Sequence, residues 1–265
     1  MLPLGAMLGA WTGGGKFIVH RHEYEIRKSL FYRVSENFMN KHASLIICVS
    51  GFLYSMTKTD TSRKVRLYNA LPAKEIEEAR ASKPVLGDVP AITMVSSLRR
   101  YKGVDVFAGI AEEMNWCRFT LILSATDNEI RHYFYKRNIP SNLVLINNVN
   151  DLHPFYSQAN IVVNLSQSDS CIETFGMTIL EAMSFGIPVI VPRTGGITEL
   201  VDDGQNGLLA DTSDPKAIAD CIKRIISDKR AYQQMSLNAL EKSYKFNPDE
   251  FKMQIRSIVE KVTRN

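Results

Sequence analysis

Two glutamates with seven residues between them are the clearest chemical feature of this sequence. Glu173 lies just before a segment with helical apolar spacing, and Glu181 lies inside that segment. If both residues were helical, they would be separated by about 12 Å along the axis, from a rise of about 1.5 Å per residue. With Glu173 in the preceding loop the gap is shorter, and the two carboxylates flank the start of the predicted helix.

The predicted helix start is suited to bind an anion. Main-chain N–H groups of a first helical turn have no partner within the helix, and the helix dipole adds positive charge there. Gly176 lets the backbone come close to a ligand. A diphosphate fits this position, with one carboxylate left for each of the groups that it joins. The N–H groups belong to Phe175, Gly176, Met177 and Thr178.

A random pair of glutamates is more often a loop acid and a solvated helix charge than a functional pair. The setting favours function here, because the helix is apolar almost all round and is therefore predicted to be buried. A carboxylate on a buried helix needs a partner. The apolar residues of this helix are Met177, Ile179, Leu180, Ala182, Met183 and Phe185.

The elements around the glutamates predict a parallel sheet. An apolar run at 161–165 precedes the polar loop, and the helix predicted over 175–185 is followed by a second apolar run at 188–191 and by Gly195-Gly196. In an open α/β sheet, ligands bind outside the carboxyl ends of the strands. The two polar loops are therefore predicted to border one crevice.

From residue 91 the sequence alternates between strand and helix patterns, which predicts a mainly parallel sheet covered by helices on both faces. The tail from Arg230 is predicted to be helical, with a break at Asn247-Pro248. The predicted strands are 92–98, 119–124, 143–146, 161–165, 189–191 and 207–209, and the predicted helices are 104–114, 129–137, 154–159, 175–185 and 215–227.

Residues 1–72 predict a partial domain of the same kind. Only three strands can be counted there, whereas a complete doubly wound domain has about six. We interpret 73–90, which is charged and flanked by prolines, as a linker with a short helix, and the apolar opening segment 1–15 as a core helix. The predicted elements are strand 17–20, helix 27–41, strand 45–50, helix 52–58 and strand 65–68.

Composition limits the class of protein. The 265 residues are 45% hydrophobic, which supports sizeable cores. Four scattered cysteines argue against a disulfide scaffold or a zinc site and suit a reducing cytoplasm. Residues 1–72 hold 10 Lys and Arg against 4 Asp and Glu. This basic part could face an anionic acceptor or a membrane surface, although solvated surface charge is the commoner explanation.

Two further segments carry groups that could do chemistry. The basic turn SSLRRYKGVD at 96–105 follows the first strand of the second domain. Lys102 is placed to neutralise a diphosphate and Gly103 to start a helix close to it, the alternative being a solvated lysine. His20 and His22 alternate on a predicted strand and would share a face. That spacing permits a metal site in principle, but we expect none.

At these residues the sequence resembles the retaining glycosyltransferases of the GT-B fold, family 4, whose signature is two glutamates separated by seven residues. The other family elements follow in order in ETFGMTILEAMSFGIPVIVPRTGGITELVDDGQNGLLA, residues 173–210, and the likeness extends from about His20 to the C-terminus. The resemblance implies an α/β, GT-B-like fold of two Rossmann-like domains. The N-terminal, acceptor-side domain (1–72) would be partial, the nucleotide-sugar-binding domain (91–246) complete, and helix 247–265 would pack back on the first domain.

The resemblance also implies roles for single residues. Glu173 would contact the sugar hydroxyls, Glu181 the ribose hydroxyls, and Lys102 with the helix N-terminus the diphosphate. His22 corresponds to a histidine at the inter-domain cleft near the donor, although a buried structural histidine is nearly as well supported.

One position departs from the family pattern. The family usually has Gly-Arg-Leu before its Lys-Gly, with the arginine on the diphosphate, and Ser97 stands here where that arginine is expected. Arg99 or Arg100 could reach in its place. A guanidinium moved by two residues does not have the same geometry, which weakens the expectation of full activity.

The function implied by the resemblance is transfer of a hexose from a nucleotide diphosphate sugar to an acceptor hydroxyl in bacterial polysaccharide or glycolipid assembly, with no metal or other cofactor. The expected partners are the donor and a saccharide or lipid-linked acceptor, with peripheral contact at the inner face of the membrane, no nucleic acid, and a partner chain that could complete the first domain. Two alternatives stay open. One is a non-catalytic nucleotide-sugar-binding or partner subunit, and the other is a GT-B-like nucleotide-sugar epimerase, which fits the glutamate pair less well.

Overall fold

The computed structural model describes residues 4–26, 28–80 and 85–264. Its helices are α1 Leu4–Thr12, α2 Leu30–His42, α3 Gly51–Met56, α4 Ala73–Arg80, α5 Val104–Glu113, α6 Asp127–Tyr133, α7 His153–Tyr156, α8 Met177–Ser184, α9 Pro215–Ile226, α10 Lys229–Ser243 and α11 Pro248–Arg264. Its strands are β1 Ile18–Arg21, β2 Leu45–Cys48, β3 Lys64–Arg66, β4 Ala91–Ser97, β5 Arg118–Ser124, β6 Leu143–Asn147, β7 Ile161–Val163, β8 Val189–Pro192 and β9 Gly207–Ala210.

Within these described ranges the strands form two parallel sheets, ordered β1-β2-β3 and β6-β5-β4-β7-β8-β9. Strands β7 and β8 are buried along their whole length, because helices cover both faces of the second sheet. From β4 the chain adds strands first toward β6 and then, starting with β7, in the opposite direction. The reversal between β4 and β7 is the topological switch point at which open α/β sheets bind ligands.

Helix α8, the predicted carrier of the second glutamate, is shorter than the sequence pattern suggested. It begins at Met177, because Gly176 has a φ of 98° and cannot belong to a right-handed helix. It ends at Ser184, and Gly186 has a φ of 71°. Glu173 therefore lies in the loop before the helix and Glu181 lies within it, as the spacing predicted.

The two sheets share one apolar core. A single cluster of buried side chains joins Val19 and Ile46 of the first sheet to Ile179 and Leu180 of α8 and to Val189 of the second sheet. Aromatic rings continue this contact. The ring of Phe246 lies 5.4 Å from that of Tyr68 and 5.7 Å from that of Phe175, measured between centroids. The first domain is therefore packed on the α8 side of the second sheet.

The opening helix α1 is not a core helix, and that prediction was wrong. Met7 is buried, but Leu8 and Trp11 are 39% and 49% exposed. The reason is that α1 rests on α2 through one side only, where the Trp11 ring contacts Phe38 and His42. Apolar residues on its remaining surface have nothing to pack against among the described residues.

Capping residues explain two differences at helix starts. The helix predicted over 27–41 begins at Leu30, because the Ser29 side chain accepts the Tyr32 N–H; residue 27 lies outside the described residues. The helix predicted over 129–137 begins at Asp127, since Thr126 and Glu129 form a reciprocal capping box. Of the predicted linker 73–90, residues 73–80 form α4, and residues 81–84 lie outside the described residues.

Gly103 offers a direct test of the close contact between the loop after β4 and the residues that follow β7. It has a φ of 79°, and an added Cβ would lie 2.5 Å from Leu165 Cβ and overlap the Leu165 carbonyl oxygen. We expect Gly103→Ala to lower the free energy of unfolding by about 1–3 kcal/mol in urea denaturation. Gly109 is the control, because nothing lies within 4 Å of a Cβ added there. Gly109→Ala, in the helix that follows Gly103, should be neutral or stabilising by up to about 1 kcal/mol. Equal effects at the two positions would contradict the packing described.

Candidate functional site

A cavity of about 640 Å³ opens at the switch point between β4 and β7. The carboxyl ends of β4, β5 and β7, the segment after β6 and the start of α8 line it. Both Lys102, after β4, and Glu173, after β7, face this cavity. The residues predicted to form the site that line it are Ser97, Lys102, Glu173, Gly176, Met177 and Thr178.

Lys102 and Glu173 form an ion pair inside the cavity, between Nζ and Oε1. Their side chains are 22% and 18% exposed. Ser166 Oγ donates a second hydrogen bond to Glu173 Oε1 over 2.8 Å. The carboxylate is thus held by one group from the loop after β4 and one from the loop after β7.

The ion pair stabilises both charges despite burial. Burial alone raises the pKa of Glu173, but the charge and hydrogen bond of Lys102, with Ser166 and Asn164, hold that pKa below its ordinary value. Burial lowers the pKa of Lys102, but Glu173 raises it further, so the net change is upward. Because the folded-state pKa of Glu173 is depressed, its contribution to stability is present above the unfolded pKa and is lost as the pH falls through the folded value.

The loop that carries Lys102 is fixed by its own backbone and by the neighbouring loop. The Lys102 N–H donates to the Arg99 carbonyl over 3.0 Å, and Gly103 closes the turn against Leu165. The Gln167 N–H donates to the Tyr101 carbonyl over 2.8 Å. This last bond ties the loop after β4 to the loop that leads to Glu173.

Glu181 faces a second cavity, of about 570 Å³, and not the first. Tyr156 donates its hydroxyl hydrogen to Glu181 Oε2 over 2.9 Å. Asn150 and Leu152 line both cavities, so the two adjoin. The structure thus places the two glutamates on the walls of neighbouring cavities, on either side of the start of α8. The second cavity is also lined by Lys74, Asp151 and His153.

Four predicted site residues do not line either of these cavities. Phe175 is buried, and its ring packs against Tyr68 and Phe246. Gly103 lies against Leu165. Arg99 is exposed, so the structure does not bring it to the position where the missing arginine was expected.

His22, the fourth of these residues, lies one residue beyond β1 and is exposed. Its carbonyl accepts the Thr174 hydroxyl, which places its backbone beside the Glu173 loop. Its ring lies 4.1 Å from that of His20, whose pKa is lowered to about 4 by burial and then by His22. Across the described part of the chain, no group of three His, Cys, Asp or Glu residues could hold a metal ion.

Sequence reasoning missed the polar residues that complete the cavity walls. Asn148 and Asn150 follow β6, and Asn164 and Ser166 follow β7. Asn148 has a φ of 40°, a conformation that asparagine tolerates better than most residues. The available signal was position, because each pair comes directly after an apolar strand of a predicted parallel sheet.

Comparison with known proteins assigns the family. Residues 75–242 match the glycosyl transferases group 1, and the chain therefore belongs to this family. An uncharacterized glycosyltransferase of Methanocaldococcus jannaschii is 26% identical over 245 residues, which cover 90% of this chain and 65% of the relative. A D-inositol 3-phosphate glycosyltransferase of Nocardioides is 37% identical over 75 residues, which cover 28% of this chain and 16% of the relative. The chain thus spans less than two thirds of these relatives.

Solved structures agree on the fold. HepE of Anabaena, solved with UDP and glucose, superposes with a TM-score of 0.81 at 20% identity over 96% of this chain and 74% of its own. Sucrose-phosphate synthase of Thermosynechococcus elongatus gives a TM-score of 0.81 at 20% identity over 97% and 72%. The predicted α/β, GT-B-like fold is confirmed. No helix in the described part of the chain is long and apolar enough to cross a membrane.

The ion pair can be tested by titration. We expect Lys102→Met to raise the pKa of Glu173 from below its ordinary value to above it, because burial then acts without the opposing charge. Carbon-13 NMR of labelled glutamate, with Glu173→Gln used for assignment, measures this change. Arg99→Met is the control, since Arg99 is exposed and does not line the cavity. An unchanged Glu173 titration in Lys102→Met would show that the pair does not form in solution.

Proposed function

We propose that the chain is a retaining glycosyltransferase of the family 4 type, which moves a hexose from a nucleotide diphosphate sugar to an acceptor hydroxyl without a metal or other cofactor. One observation carries the proposal. Lys102, Glu173 and the N-terminus of α8 line one cavity at the switch point, and Glu181 faces the adjoining cavity. An anion site between two carboxylates matches a ligand whose diphosphate joins two hydroxyl-rich groups.

Each chemical group of the donor has its own position in these two cavities in this proposal. The diphosphate lies at the N-terminus of α8, where the N–H groups of Met177 and Thr178 and the Lys102 ammonium meet it. The hexose lies beside Glu173 and the ribose beside Glu181, whose position is fixed by Tyr156. HepE has been solved with UDP and with UDP-glucose, which supports the choice of a nucleotide sugar as ligand.

The chemistry needs no protein nucleophile. The acceptor oxygen attacks the anomeric carbon on the face from which the diphosphate leaves, so a carbon–oxygen bond forms as the bond to the diphosphate breaks. The electron pair of the broken bond goes to the diphosphate, and the acceptor proton passes to the departing phosphate oxygen. Lys102 and the start of α8 stabilise the charge that develops there, and electrostatic stabilisation of this kind often contributes more to catalysis than any other single effect.

Donor binding must rearrange the Lys102–Glu173 pair. In the free chain the Lys102 ammonium is already neutralised by Glu173. A diphosphate competes for that ammonium, and the sugar hydroxyls then supply hydrogen-bond donors to the carboxylate. In the free chain the pair therefore gives each of two partly buried charges a partner, and the bound donor replaces both partners.

The biological setting that we propose is bacterial polysaccharide or glycolipid assembly in the cytoplasm, with a saccharide or lipid-linked acceptor. The basic balance of residues 1–72 supports peripheral contact with an anionic membrane face. A partner chain or a further segment of the same protein would complete the three-stranded first sheet. The isolated 265-residue chain is then expected to bind donor well and to transfer sugar slowly.

A second function, a donor-binding subunit without transferase activity, is favoured by one specific observation. Ser97 lines the cavity where the family has an arginine, and the exposed Arg99 does not line it. The diphosphate would therefore be met by a single cationic side chain among those lining the first cavity. A transferase assay with donor and a panel of lipid-linked acceptors separates the two functions, because a binding subunit would bind the donor and leave it intact.

A thermal-shift screen tests donor binding first. Sugars linked to UDP, GDP, ADP and TDP are added separately. A ligand that binds only the folded chain stabilises it by about 2.7 kcal/mol at a hundredfold excess over Kd. We expect one base to raise the melting temperature clearly above the others. No shift with any of the four would contradict both proposed functions.

Removal of the Glu173 carboxylate should weaken binding of the sugar part of the donor and not of the nucleotide part. We expect Glu173→Ala to weaken nucleotide-sugar binding about tenfold while the free nucleoside diphosphate binds as well as before or better, because Lys102 is then released for the diphosphate. Calorimetric titration with both ligands measures the two affinities. Equal losses for the two ligands would assign Glu173 to the nucleotide.

Removal of the charge on Glu181 should weaken binding of the nucleotide part of the donor. Glu181→Gln keeps the shape of the side chain but loses charge-assisted hydrogen bonds to the ribose, each worth about 1.5–3 kcal/mol, so nucleoside diphosphate affinity should fall at least about tenfold. The matched control is Glu113→Gln, at an exposed position whose carboxylate lies 4.0 Å from Lys223 Nζ. Unchanged affinity in Glu181→Gln would rule out the ribose role.

A further inference from the structure

Glu199 connects the two domains at a point outside both cavities. It lies in a short helical turn of the second domain, Gly196–Leu200. Its carboxylate accepts the Gly51 N–H over 2.9 Å and the Phe52 N–H over 2.8 Å, both at the start of α3 in the first domain. The Tyr68 hydroxyl donates to the same carboxylate over 2.8 Å.

These bonds satisfy backbone donors that α3 cannot satisfy alone. The first N–H groups of a helix have no partner within it. The Ser50 side chain accepts the Leu53 N–H, which leaves the two preceding N–H groups for Glu199. A carboxylate is also the favoured charge at this end of a helix. The first domain thus relies on a side chain of the second domain to complete a helix.

The turn that carries Glu199 also touches the backbone beside Glu173. Gly195 has a φ of 100°, and a Cβ added there would overlap the Glu173 carbonyl oxygen. A Cβ added at Gly196 would overlap the Thr174 carbonyl oxygen and lie 2.6 Å from Ser50 Oγ. On its other side, Thr174 donates its hydroxyl to the His22 carbonyl of the first domain. Residues 173–174 are therefore enclosed between this turn and the first domain.

We infer that Glu199 is a positioning residue for the transfer step. It holds the start of α3 against the turn at 195–199, and this turn holds the Glu173 loop, so the first domain and the sugar-binding carboxylate keep one relative position. The inference rests on the proposed function in so far as the first domain presents the acceptor and Glu173 the sugar. Misplacement of reacting groups by about 1 Å can cost on the order of a hundredfold in rate.

The matched control lies three residues further along the chain. Asp202 forms an ion pair with Lys242, over 2.8 Å, within the second domain. Asp202→Asn removes a nearby carboxylate whose ion-pair partner belongs to the second domain. The test compares Glu199→Ala, Glu199→Gln and Asp202→Asn with the original chain.

Hydrogen exchange and backbone NMR measure the coupling without any ligand. We expect amides of residues 51–53 to exchange about tenfold faster in Glu199→Ala, and the backbone amide NMR signals of residues 173–176 to shift. Glu199→Gln, which retains one acceptor oxygen, should restore part of the protection, and Asp202→Asn should change neither segment. Faster exchange at 51–53 with unmoved amide signals at 173–176 would overturn the coupling, whatever the chain's activity proves to be.

The nucleoside diphosphate affinity and the kcat for transfer then separate a positioning role from a general loss of folded structure. In Glu199→Ala we expect nucleoside diphosphate affinity within about twofold of the original and a kcat for transfer at least about tenfold lower. Unchanged kcat would overturn the positioning role. If the original chain binds no nucleotide sugar, the proposed function fails, and the amide signals at 173–176 still decide whether Glu199 controls the Glu173 loop.

Discussion

The ion pair between Lys102 and Glu173 is the interaction on which the site depends. Both side chains are largely withdrawn from solvent, and an isolated charge in that position would be costly. They meet because β4 and β7 are neighbours in the sheet although many residues separate them in the chain. The reversal of strand order thus creates both the crevice and the electrostatic pair within it, which explains why the loops at this point carry the chemistry.

The position of this pair depends on contacts that reach beyond the second sheet. The loop before α8 has glycines of the 195–196 turn on one side and the backbone after β1 on the other. The shared core joins α8 to the first sheet through apolar and aromatic side chains. A change in the first domain is therefore expected to reach the site through packing.

Sequence patterns predicted what local spacing determines. The parallel second sheet, the loop position of Glu173 and the helical position of Glu181 follow from apolar periodicity and from the glycine at 186. The patterns could not predict that Arg99 stays exposed, that Tyr156 meets Glu181, or that Glu199 completes a helix in the other domain. Each of these depends on which loops become neighbours in space. The exposure of α1 was missed for a related reason, since apolar composition does not say whether a surface is available to cover the helix.

The most direct measurement is a crystal structure of the chain with the nucleoside diphosphate of the base that gives the largest thermal shift. We expect phosphate oxygens within hydrogen-bonding distance of Lys102 Nζ and of the N–H groups at Met177 and Thr178, with the ribose beside Glu181. We also expect Lys102 to have moved at least partly from Glu173 toward the phosphates. A nucleotide bound elsewhere, with the Lys102–Glu173 pair unchanged, would contradict the assignment of this cavity as the donor site.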